Sequence, residues 1–167
     1  MEIILFEEIF ETLAGKLPEM SVNQNISRKP VFGWGNADEL RAFIQEKGKK
    51  HIPLIWLVPR KDSEADEIGT YQREVELNLC AAETRNIRNN VRVDSDYSYK
   101  AVLVPLWENI CRAMEKSNID PIDGTLRWQL FPNYRPNGQH ETQQIWDVLK
   151  VIFTANDTKE YTPCKGT

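Results

Sequence analysis

The chain has 167 residues, a formal net charge of −4, and a composition that is 41% hydrophobic, 28% charged and 10% aromatic. That length suits one domain with a core of its own, held without disulfides or metal. The acidic balance excludes a general attraction to nucleic acid, and no stretch approaches the roughly 20 apolar residues that span a bilayer.

The first eight residues, Met1 to Glu8, lack the basic lead of a signal peptide, and acids break their apolar run. Ile3, Phe6, Ile9, Phe10, Leu13 and Leu17 recur at helical spacing, with Glu7, Glu8 and Glu11 opposite them. A helix over 3–17 is predicted, ended by Gly15 and Pro18. Residues 21–36 read as loop with room for a short strand, and contain Phe32-Gly33-Trp34-Gly35. Asn36 with Glu39 has the spacing of a capping box, opening a second helix whose apolar face is Leu40, Phe43 and Ile44 and whose end is Gly48. The basic run Lys47 to His51 reads as its solvated end.

Leu54 to Val58 is a continuous apolar run between Pro53 and Pro59, which predicts a strand buried on both faces. A charged turn is expected over 60–67. From Ile68 to Ala82 the pattern alternates: Tyr71, Val75, Leu77, Leu79 and Ala81 on one face, with Arg73 the exception, and Gln72, Glu74, Glu76 and Asn78 on the other. This is a long half-buried strand, close enough to its predecessor for a hairpin. Residues 84–96 are polar and predict a long loop, with Asp94 or Ser95 capping the main helix over 97–116. Tyr99, Leu103, Leu106, Ile110 and Met114 form its stripe; Pro105 either kinks this helix or sits in the first turn of one starting later, and the unbroken stripe favours the kink. Leu126 to Phe131 is a further strand, followed by a turn-rich stretch from Pro132 to Gly138. Trp146 to Ala155 is the last strand, and the polar tail from Asn156 is expected to fray. The order fits an α+β domain over 1–156, with a mainly antiparallel sheet packed against the main helix and a tail over 157–167.

The residues offer little catalytic chemistry. Gly33-Trp34-Gly35 follows no clear strand, and its tryptophan would block a phosphate. His51 and His140 have no ligand or partner at useful spacing. Cys80, Cys111 and Cys164 match no zinc or redox motif; the first two read as small buried hydrophobes, a usage that suits a reducing compartment. Glu64, Asp66 and Glu67 form a solvated turn rather than a calcium loop. Glu74 and Glu76 share a strand face and are the one carboxylate pair on which a small metal-dependent hydrolase or nuclease could be built; a polar sheet face is the better account. No catalytic residue, cofactor or metal is therefore expected. The five tryptophans stand out. Trp56 and Trp107 should be core. Trp34, Trp128 and Tyr134 lie near loops and either anchor an interface or cap the ends of the core.

Four pieces in this order resemble the tail-completion and tail-terminator (neck) structural proteins of tailed bacteriophages. They are the helix of Ile3–Leu17; Phe32-Gly33-Trp34-Gly35 before a short helix and the Pro53 to Val58 strand; Glu74 to Leu79, a polar loop and the helix with Val104-Pro105-Leu106-Trp107; and Pro132-Asn133-Tyr134 before Ile145 to Leu149. The resemblance spans roughly residues 1–156 and departs at Thr84–Asp96 and Asn133–His140. It implies an α+β subunit that self-associates into a ring, usually hexameric, in the virion neck. Such a ring is assembled in the host cytoplasm, caps the tail tube and docks a neck or connector protein. It implies no membrane and no sequence-specific nucleic-acid partner. Contacts are expected on 60–69, 84–96 and 133–144, with Trp34, Asp62, Glu64, Arg85, Asn86, Arg88, Asn89, Tyr134, Arg135 and Asn137 as candidate interface residues. Another neck ring (a head-completion or stopper protein), a non-virion adaptor and the hydrolase are the alternatives.

Overall fold

A computed structural model describes residues 6–23, 26–47, 53–59, 63–65, 71–82, 98–117, 119, 121, 123–134 and 146–157. Helix α1 (Phe6–Gly15) is followed by strands β1 (Met20–Asn23), β2 (Ile26–Arg28) and β3 (Val31–Trp34), then helix α2 (Ala37–Lys47). Strands β4 (Leu54–Val58), β5 (Ser63–Ala65) and β6 (Tyr71–Ala82) come next. A π-helical turn (Ser98–Leu103) runs into helix α3 (Val104–Lys116), and β7 (Arg127–Tyr134) and β8 (Trp146–Asp157) complete the order. The fold is α+β: β3, β4, β6, β8 and β7 lie side by side in that order, and β5 adds to β6. Among the described residues only β3–β4 is parallel; β4–β6, β5–β6, β6–β8 and β7–β8 are antiparallel.

The period-2 patterns place the core. Ile55, Leu57, Val75, Leu77, Leu79, Ala81, Leu149, Val151, Phe153 and Ala155 line one face and are buried beneath α1 and α3, through Phe10, Leu13, Leu106, Ile110 and Met114. Leu54, Trp56, Cys80 and Val148 point to the other face, where Leu40 and Ile44 of α2 cover them. β4 is thus buried on both sides, as its unbroken apolar run requires. Trp56 is core, while Trp107 packs at the core's rim, its ring 6.2 Å from Phe153.

Several expectations are corrected. Residues 21–36 hold three strands rather than loop: β1 and β2 make a small separate hairpin, and β3 joins the main sheet beside β4. Pieces this short carry too few residues to show a period, and pairing across the chain fixes them. The charged turn at 60–67 contains β5, which pairs with Tyr71–Arg73. Near Pro105 the helix changes type, from π up to Leu103 to α from Val104. Pro105 sits in the first turn of α3, and Leu103 before it is already helical at φ −71° and ψ −42°. A π turn is wider than an α turn and accommodates the missing N–H without breaking the apolar stripe. β7 continues through Pro132 to Tyr134 with a register shift after Phe131, which an edge strand tolerates. β8 reaches Asp157, two residues past its expected end. Ile3, Gly48, Asp94, Ser95, the 84–96 loop and the tail beyond Asp157 lie outside the described residues.

Candidate interaction surface

The turn after β3 is locally overdetermined. Asn36 N–H donates to Glu39 Oε2 (2.7 Å) and Glu39 N–H donates to Asn36 Oδ1 (2.9 Å), the expected capping box. Gly35 N–H donates to Leu57 O (3.0 Å), and Gly35 O accepts the indole N–H of Trp56 (2.9 Å). Gly35 has φ +144°, a backbone only glycine holds comfortably. A Cβ on Gly33 would lie 2.6 Å from the Trp56 ring. The glycines therefore let a tryptophan pack against bare backbone. Contrary to expectation, Gly33 and Trp34 do belong to a strand. At the helix N-terminus that follows, the Asn36 and Glu39 N–H groups are taken by the chain's own side chains.

Trp34 closes this strand and is 54% exposed. The paired registers show where it sits. Trp34 is opposite Leu57, Leu57 opposite Leu77, Leu77 opposite Val151, and Val151 opposite Trp128. One cross-strand row therefore runs through all five strands, with three buried aliphatics inside and a tryptophan at each end. Trp128 is 61% exposed, next to Leu126 at 43%, and its ring stacks on Tyr99 at 6.4 Å. Leu57, Leu77 and Val151 belong to the face beneath α1 and α3, so both tryptophans flank the helical layer. Exposed large aromatics at a sheet edge are a cost to a monomer and a usual anchor for an interface.

The opposite face beyond α2 is polar and ion-paired. Lys150 Nζ lies 3.0 Å from Glu76 Oε1 and 5.6 Å from the Phe131 ring centroid. Arg127 reaches over β8 to Glu74 at 3.9 Å. Glu76 and Asn78 are buried here. The polar face expected from the alternation is present, but at Glu76 and Asn78 it is closed to solvent. The two carboxylates face separate cations rather than a shared point. Among the described residues, no group of three or more His, Cys, Asp or Glu is placed to hold a metal ion.

Burial pushes the Cys80 thiol up to about 12. Cys111 is half-buried rather than buried, and desolvation together with Glu115 and Glu108 raises its thiol to about 11. Both are protonated at neutral pH and poor nucleophiles. A groove of about 360 Å³ between α1 and α3 is edged by Lys16, Arg112 and Lys116. Arg112 is engaged there by Asn109 at 3.2 Å and Glu108 at 3.9 Å.

Of the expected interface residues, Trp34 is exposed as required. Glu64 and Tyr134 are placed in β5 and β7. Asp62, Arg85, Asn86, Arg88, Asn89, Arg135 and Asn137 lie outside the described residues, as do His51, His140 and Cys164. The pairing of Trp128 with Trp34 on one row was not expected. Strand register creates it, and the only sequence signal is that both are tryptophans beside apolar strand residues. No helix among the described residues is long and apolar enough to cross a membrane. No family model matches this chain, and no curated protein matches it at a significant level.

Proposed function

We propose that this chain is a ring-forming structural subunit of the head–tail junction of a tailed bacteriophage, of the tail-terminator or tail-completion type. The observation that carries the reading is the exposed tryptophan at each end of one cross-strand row. A subunit with two different adhesive edges is what a cyclic, head-to-tail assembly needs. The α+β order with its N-terminal helix suits the same role. In this reading the ring caps the tail tube, and the polar segments around Asp62, Arg85 to Asn89 and Arg135 to Asn137 reach neighbouring virion proteins. The protein is then a virion component with no substrate.

Quantitative mass spectrometry of purified particles tests this. A small fixed copy number relative to the major capsid protein, as a closed ring demands, is the expected result. Absence from particles in cells that express the chain would remove the virion role and leave the adaptor or the hydrolase.

A further inference from the structure

Among the described residues, no strand pairs with the outer side of β3 or of β7, so these are the two ends of the five-strand path through the main sheet. The pairings fix their directions. β3 is parallel to β4, β4 is antiparallel to β6, β6 to β8, and β8 to β7. β3 and β7 therefore run in opposite senses. Two copies placed side by side in the same orientation bring β7 of one against β3 of the next as an antiparallel pair, the more stable kind per residue.

The lengths also match. Pro132 and the register shift after Phe131 limit the regular part of β7 to Arg127–Phe131, and β3 is the four residues Val31–Trp34. Unpaired edges of this kind are templates for another strand unless blunted, and the exposed tryptophans do the reverse of blunting. In the register that continues the row, Trp128 of one copy lies beside Trp34 of its neighbour on the same face, within reach of a cross-strand contact. A two-fold contact between two β7 edges would leave Trp34 in water. Head-to-tail pairing covers both tryptophans with one interface.

We infer that a second copy of this chain docks by strand addition, β7 of one subunit against β3 of the next, with Trp128 and Trp34 as the paired anchors. This rests on the ring reading and adds its geometry. Each contact repeats the same rotation, and the built-in twist of the sheet supplies curvature that lets the series close.

Sedimentation velocity of the wild type, of Trp34→Glu, of Trp128→Glu and of the two variants mixed is the test. The wild type is expected to form a closed oligomer, and each variant alone to remain monomeric. The mixture is expected to give a one-to-one dimer and nothing larger, because each variant then offers the one intact edge the other lacks. Circular dichroism checks folding, and the Trp34→Ala and Trp128→Ala pair replaces any Glu variant that does not fold. If the wild type assembles and either variant alone assembles equally, or the mixture stays monomeric, the edge pairing is wrong and the ring reading survives. A wild type that is monomeric at every concentration removes both.

Discussion

Glu76 and Lys150 show what a nearly closed polar site costs. The carboxylate is shielded, its cation is 3.0 Å away, and Phe131 backs the ammonium group. Removing Lys150 takes the nearest cation away from a shielded carboxylate, so Lys150→Met should destabilise the fold by about 3 kcal/mol, measured by urea denaturation. Adding Glu76→Leu should restore most of that loss. A double variant no better than the single one would mean that the pair is not coupled. Cys80 gives a pH dependence. Burial pushes its folded thiol up to about 12 from the ordinary 9.0, so below pH 9 both states are protonated and this component of stability is complete. Above that the unfolded chain loses its proton first, and stability falls by up to about 1.4 kcal/mol per pH unit as pH rises toward 12. Cys80→Ala should lack this component, and alkaline denaturation curves of the two proteins, compared by difference, measure it.

At the scale of elements, the β3–α2–β4 unit stands or falls on small residues. Gly33→Ala puts a methyl group into the Trp56 ring, which is held by the Gly35 carbonyl and tilts against Phe43 at 5.5 Å. A loss of about 2 kcal/mol is expected for such overpacking, read from the shift in thermal midpoint. Asn36→Ala removes half the capping box and should cost about 1 kcal/mol. This cap was legible because its chemistry is confined to four neighbouring residues. So was β4, whose unbroken apolar run admits only a strand buried on both sides, and β6, whose alternation continues over most of its length. β1, β2, β3 and β5 were not legible, because three or four residues show no period and their pairing partners lie elsewhere in the chain. Pro105 announced a disturbance without saying which kind. A kink and a change of helix type both accommodate the carbonyl that lacks a donor because proline has no N–H. Trp34 could be marked as a candidate anchor by type and context. Its alignment with Trp128 depends on four successive registers, which no local pattern encodes.

For the whole molecule, the exposed tryptophans let folding and the proposed assembly be tested separately. Trp34→Ala removes a side chain already 54% in water, so stability should change by no more than about 0.5 kcal/mol in chemical denaturation. Its effect on the oligomer, read by sedimentation, should be much larger. Equal loss of both would show that the residue caps the core end instead.

The placement of β8 has a consequence in time. It pairs with β6 along all twelve residues and is also the strand that holds β7 in the sheet. Yet it follows every other described strand in the chain, and β6 ends at Ala82, long before β8 opens at Trp146. Closing so distant a contact is slow, and a growing chain cannot attempt it until residues 146–157 have emerged from the ribosome. Until then β7 has no seat in the sheet, and Trp128 stands on no row. On the proposed edge pairing, a nascent or truncated chain lacks the edge that would recruit a neighbour, and the order of synthesis would itself act as a check on which subunits join.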